Sequence, residues 1–64
     1  MTEIEIWSAA YLMLRWCGET ARQESARRAD EFAAAGDADG AAGWHRVIAA
    51  IGQLANRTPA GPLH

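Results

Sequence analysis

Cysteine and histidine are the residue types in this chain whose pairing could support nucleophilic catalysis. Cys17 is the one cysteine, and His45 could activate it only if the two side chains came within hydrogen-bonding reach in a pocket. Helical periodicity places His45 on a polar helix face and Cys17 on an apolar arc, where a free cysteine behaves as a small hydrophobic residue. The pattern therefore predicts a protein that is not an enzyme and that has no cofactor or evident small-molecule substrate.

The acidic pair Asp37 and Asp39, followed by Gly40, superficially resembles the start of a calcium-binding loop. Such a loop places its glycine sixth and a glutamate twelfth, whereas here the glycine is fourth and Ile48 is twelfth. The spacing leaves too few oxygen ligands, so no metal site is predicted. Asp37 instead fits the N-cap of a helix, with Asp39 in the first turn, where the helix dipole favours negative charge.

Arginine supplies all the basic side chains, and the formal net charge of -2 gives no basic footprint for nucleic acid. Nucleic acid is therefore disfavoured as a partner. One alternative stays open, a nucleic-acid-associated small regulator in which dimerisation gathers the arginines on one surface. The residues involved would be Arg22, Arg27, Arg28 and Arg46.

Local signals at the helix ends predict an all-α fold, a three-helix mini-bundle with helices near 3–17, 19–35 and 38–56. Thr2 and Glu5 have the spacing of a capping box, and Gly18 and Gly36 are suited to end the first two helices. Helices one and two could instead be joined as one helix kinked at Gly18. A single domain over 1–57 is predicted, with a disordered tail over 58–64.

The apolar pattern predicts a core from all three helices, made of Trp7, Tyr11, Leu14, Phe32, Trp44, Ile48 and Ile51. Helix three is amphipathic with one buried face. Gly43 and Gly52 within it predict either close backbone contacts or weak points of the helix.

Helix one carries apolar residues over an arc of about 220°, about twice the width that one core-facing helix needs. Trp7 and Trp16 project to opposite sides, and tryptophan is a preferred interface anchor. The surplus predicts a small protein–protein interaction module that self-associates, as a homodimer or with a protein partner. The interface candidates are Ile6, Met13, Trp16 and Cys17.

Cellular location follows from cysteine usage and from the first apolar run. One cysteine allows no intramolecular disulfide, which fits a reducing compartment. The run from 4 to 17 is too short for a membrane span and follows acidic residues where a signal peptide needs positive charge. We therefore expect a cytoplasmic protein with no membrane association.

A set of packing and capping residues between about 7 and 54 forms a recognisable pattern, made of Trp7, Gly18-Glu19-x-Ala21, Ala26-Arg27-Arg28-Ala29-Asp30, Gly36-Asp37 and Trp44-x-Arg46-x-Ile48-x-x-Ile51-x-x-Leu54. This pattern resembles a group of short, uncharacterised alphaproteobacterial proteins, a domain of unknown function. The resemblance implies a small all-helical bacterial protein and carries no catalytic residue.

Overall fold

A computed structural model describes residues 1–57, and the predicted disordered tail lies outside this part of the chain. Helix α1 spans Glu3–Cys17, a 3-10 turn spans Gly18–Thr20, α2 spans Ala21–Ala34 and α3 spans Ala38–Arg57. No β-strand occurs within residues 1–57. The predicted all-α fold is confirmed, and the predicted bounds differ by no more than two residues at any helix end.

Side-chain caps fix the starts of α1 and α3. The Glu5 backbone N–H donates to Thr2 Oγ1 at 3.2 Å, and the Thr2 N–H donates to Glu5 Oε1 at 2.8 Å, which completes the capping box. Asp37 Oδ1 accepts the Gly40 N–H at 2.9 Å. These bonds satisfy N–H groups that have no partner within their own helix, so both predicted caps are confirmed.

Two glycines with positive φ allow the chain to change direction between helices. Gly18 has φ 57° and donates its N–H to the Leu14 carbonyl, and Gly36 has φ 81°. Both alternatives that the sequence left open at Gly18 describe part of what is seen. Helical hydrogen bonding continues through the 3-10 turn into α2, while the backbone at Gly18 breaks the straight path of α1.

Helices α1 and α3 run in the same direction. Near the start of α1, the Glu3 carboxylate lies 3.6 Å from the Arg46 guanidinium in the first half of α3. Near its end, Leu14 lines a groove together with Ile51, further along α3. Since later residues of α1 meet later residues of α3, the two helices are parallel neighbours.

Helix α2 runs opposite to α3. Its early residue Ala21 meets Ile51 late in α3, whereas the later residue Arg28 has its guanidinium carbon 5.4 Å from the centre of the Trp44 ring, early in α3. The chain therefore goes up, down and up again, in the order expected when short connections join neighbouring helices of a bundle.

Small residues make up much of the core where the three helices meet. The buried cluster consists of Ile6, Ala10, Met13, Ala21, Val47, Ala50 and Ile51. Further from its centre, Ser25, Ala29, Ala41 and Gly43 are also buried between helices. Side chains this small let helix axes approach closely, and they leave little volume for large residues between them.

The predicted core is confirmed only in part. Ile51 is buried at the centre, and Trp7, Leu14 and Trp44 pack partly buried against the cluster, while Ile48 is half-buried. The aromatic rings thus lie at the margin of the core, where one edge stays accessible to water.

The prediction was wrong for Tyr11 and Phe32, which are exposed. On α1 the predicted core residues were Trp7, Tyr11 and Leu14. The buried residues are instead the ones that come one position earlier, namely Ile6, Ala10 and Met13. A displacement of one residue is a rotation of about 100° around the helix axis. The rotation turns Ala10 into the closely packed centre, and the phenol of Tyr11 is left outside it.

Candidate interaction surface

One side of α1 faces away from the other two helices and is rich in large apolar side chains. It is called here the α1 outer face and consists of Ile4, Ser8, Tyr11, Leu12, Arg15 and Trp16. The exposed fraction is 78% for Ile4, 72% for Trp16, 54% for Tyr11 and 39% for Leu12. Spacings of three, four, seven and eight residues bring these positions to the same side of a helix.

The exposed apolar area of this face is large for so short a chain. With roughly 150–250 Å² for each large side chain, the four apolar residues together present on the order of 500 Å² to solvent. The largest apolar patch on a typical monomeric protein covers about 300–600 Å² and is often functional. The α1 outer face is therefore the candidate functional site of the described chain.

Polar groups on the α1 outer face are few and sit between the apolar ones. The Arg15 guanidinium donates to the Tyr11 hydroxyl at 3.3 Å, and its central carbon lies 5.9 Å from the centre of the Tyr11 ring. Within residues 1–57 this guanidinium makes no ion pair with a carboxylate. The hydrogen bond to Tyr11 uses one of the five N–H donors of the Arg15 guanidinium.

The structure corrects the predicted interface residues on α1. Ile6 and Met13 are each only 4% exposed and belong to the intramolecular core, so their assignment to an interface was wrong. Cys17 is half-buried and packs against the core cluster. Trp16 alone among the four candidates projects freely into solvent. The cause is the same one-residue rotation of α1 that displaces the predicted core.

Sequence reasoning missed Ile4, Tyr11 and Leu12 as members of the exposed face. A signal for them exists in the polar residues of α1. Ser8 marks the solvent side, and its neighbours one turn away are Ile4 and Leu12, while Tyr11 lies one turn before Arg15. The surplus apolar residues flank this polar side instead of forming a separate face.

Cys17 and His45 are held at opposite ends of the bundle. The Glu3–Arg46 ion pair places the neighbourhood of His45 beside the start of α1, and Cys17 is the last residue of that helix. Fourteen residues of helix separate Glu3 from Cys17, a length of about 20 Å. The two side chains therefore cannot form a catalytic pair. No cluster of three metal-ligating side chains occurs within residues 1–57.

Two arginines, one on α2 and one on α3, lie beside carboxylates of this chain. Arg27 Nε lies 3.7 Å from a Glu24 oxygen and 3.9 Å from a Glu31 oxygen, and Arg46 faces Glu3. Such exposed pairs are weak, but they place a carboxylate beside each of these cations. Positive and negative side chains therefore lie side by side around Arg27 and around Arg46.

A shallow groove of about 330 Å³ adjoins the α1 outer face. It lies between the ends of α1 and α3 and is lined by Tyr11, Leu14, Arg15, Leu54 and Ala55. Tyr11 and Arg15 belong to both surfaces, so the α1 outer face adjoins the groove along the Tyr11 ring and the Arg15 side chain.

The chain was compared with known protein families, sequences and structures. No protein-family model, curated protein sequence or solved structure matches the chain. The resemblance to short alphaproteobacterial proteins therefore stays a prediction. Among the helices of residues 1–57, none combines the length and the apolar character that crossing a membrane requires.

Proposed function

We propose that this protein is a non-enzymatic interaction module that self-associates, as a homodimer, through the α1 outer face. The observation that carries the proposal is the exposure of Ile4, Tyr11, Leu12 and Trp16 on one side of a helix whose other side already packs in the core. Tryptophan and tyrosine are the residues that most often dominate binding energy at protein interfaces.

The composition of the core supports the same proposal. Within residues 1–57, five of the nine buried hydrophobic residues are alanines, which remove little apolar surface from water when they become buried. Chains of this size bury a smaller fraction of their surface than larger domains do. Association through the α1 outer face would bury apolar area that the intramolecular core leaves in water.

The area that the dimer would bury also sets its expected affinity. Two faces of on the order of 500 Å² each give about 1,000 Å² of buried surface, at the lower end of specific protein interfaces. We therefore expect a dissociation constant in the micromolar range. We place the module in the cytoplasm on its cysteine usage, because a single cysteine gives no intramolecular disulfide to stabilise a small core.

Sedimentation velocity across micromolar concentrations tests the proposal. The unaltered protein should change from monomer to dimer as the concentration rises. Trp16→Gln should weaken the dimer about 1,000-fold, since it removes one anchor residue from each copy and each contributes about 2 kcal/mol. Trp16 is mostly exposed in the folded chain, so this variant should keep its helical circular dichroism.

Ala33→Gln is the matched control, because it introduces the same side chain at an exposed position of α2. It should leave the dimer unchanged. A wild-type chain that stays monomeric at the highest concentration and still unfolds cooperatively would contradict self-association. Binding of DNA or RNA at low salt by the monomer would instead favour the nucleic-acid alternative.

A further inference from the structure

The residues of the α1 outer face are arranged symmetrically about the middle of the helix. Ile4 and Glu5 lie six and five positions before residue 10, and Arg15 and Trp16 lie five and six positions after it. Ser8 and Leu12 are also equidistant from this point. Glu5 lies at nearly the same angle around α1 as Leu12 and Trp16, at the border of the face. Each end of the face therefore carries one large apolar residue and one charge, Ile4 with Glu5 and Trp16 with Arg15.

We propose that two copies of the chain pair through this face with their α1 helices antiparallel, which rests on the proposed function and specifies how the second copy is seated. A two-fold axis perpendicular to α1 near residue 10 brings Ile4 level with the partner's Trp16 and Glu5 level with the partner's Arg15. The same two pairs recur at the other end, as an isologous interface requires. Leu12 packs beside the partner's Leu12 close to the axis.

Charge selects this arrangement over a parallel one. In a parallel pair, Glu5 would be level with the partner's Glu5, and Arg15 with the partner's Arg15, so both ends would carry like charges. In the antiparallel pair both ends carry opposite charges. The dipoles of the two α1 helices also oppose each other favourably only when the helices are antiparallel.

The two charged groups are available for such contacts. Arg15 has no carboxylate partner within residues 1–57 and touches only the Tyr11 hydroxyl and ring. Glu5 uses Oε1 to accept the Thr2 N–H, and that bond leaves the second carboxylate oxygen for another donor. An arginine and a carboxylate that are paired only across the interface are what a self-complementary face needs.

A lipid surface fits the same face less well. Helices that lie on membranes carry several lysines or arginines beside their apolar side, which anionic headgroups attract. The α1 helix has one arginine and two glutamates, Glu3 and Glu5. A second copy of this chain supplies both the positive and the negative partner that the face lacks.

Charge substitution gives the first test, read as the dimer dissociation constant from sedimentation equilibrium. Arg15→Glu should raise that constant about tenfold, because at both ends of the antiparallel interface the Glu5 carboxylate then lies level with a second carboxylate from the partner. Adding Glu5→Arg in the same chain should restore most of the affinity. Arg22→Glu changes the net charge equally at an exposed site on α2 and should leave the dimer unchanged.

Distance measurement gives the second test and separates orientation from association. A nitroxide at Glu19→Cys in a Cys17→Ser chain lies in the 3-10 turn directly after α1, on the order of 13 Å from the proposed axis, so the two labels should be about 30 Å apart in the antiparallel dimer. In a parallel dimer they would approach within about 20 Å, and Arg15→Glu would not weaken association.

A label distance within about 20 Å would overturn the proposed antiparallel pairing but would still agree with the proposed self-association. A chain that remains monomeric in both tests would overturn both. Binding to phosphatidylcholine vesicles with no dimer in solution would also overturn the proposed antiparallel dimer and would identify the α1 outer face as a lipid contact.

Discussion

Gly52 is a weak point in the second half of α3, and replacing it by alanine should stabilise the fold. The residue lies inside the helix, five positions before its last residue, and a β-carbon built there meets no atom within 4 Å. Glycine in a helix interior costs about 1 kcal/mol relative to alanine, largely because the unfolded chain has more freedom to lose. No steric penalty offsets the gain at this site.

We expect Gly52→Ala to raise the free energy of unfolding by about 0.5–1 kcal/mol, with the lower value allowing for fraying near the end of α3. For a domain of this size that gain raises the melting temperature by about 4 °C. Thermal and urea unfolding followed by circular dichroism measure both quantities. All variants must be compared at one protein concentration, because the proposed self-association would make the melting temperature depend on concentration.

Gly40→Ala is the matched control, since it makes the same change at a crowded site in the same helix. A β-carbon at Gly40 would lie 2.6 Å from Phe32 Cδ1 and 2.8 Å from Asp37 Oδ2. The capping carboxylate would have to move, and its loss costs about 1 kcal/mol. We therefore expect no gain, or a loss, at Gly40. Equal shifts at both sites, or a loss of stability for Gly52→Ala, would refute the reasoning.

Two further substitutions test the buried hydroxyl and the cap of α3. Ser25 is fully buried and its Oγ has no hydrogen-bond partner in the described chain, so Ser25→Ala should stabilise the fold by about 1 kcal/mol in urea unfolding; a loss would show that the hydroxyl is paired. Asp37→Ala should destabilise it by about 1 kcal/mol, whereas Asp37→Asn should be nearly neutral because asparagine caps equally well; equal losses for both would argue against the cap.

Helix ends could be predicted well because the interactions that set them are local. The capping box joins Thr2 and Glu5, three residues apart, and the Asp37 cap also reaches three residues along the chain. Gly36 ends α2 because its positive φ is accessible to glycine at little cost. Each of these signals is contained within one turn of sequence and does not depend on which helix packs nearby.

The orientation of α1 could not be predicted in the same way. Its apolar arc is so wide that several rotations bury a similar number of apolar residues. The rotation is decided by the surfaces of α2 and α3, where small residues such as Ala21 and Ala50 leave room for Ala10 but not for a phenol ring. That information lies about ten and forty residues away along the chain, so the pattern of α1 alone does not contain it.

The candidate site was predicted as a property of a helix more accurately than as a set of residues. A surplus of apolar residues on α1 follows from composition and periodicity, and Trp16 belongs to it in the structure. Ile6 and Met13 had to be reassigned once the rotation was known. The two glycines inside α3 were also predicted only in part. The sequence left open whether they mark close contacts or weak points, and the fold shows that Met1 lies close to Gly43 while the space beside Gly52 is open.

The alanine core and the apolar outer face follow from one packing choice. Where the buried contacts are made by residues such as Ala10, Ala29 and Ala50, helix axes lie close together and aromatic rings cannot enter between them. The rings must then lie at the margin, as Trp7 and Trp44 do, or outside, as Trp16 does. In the proposed dimer, stability and association would depend on different sides of α1, so a substitution on the outer face should abolish the dimer while the bundle keeps its core.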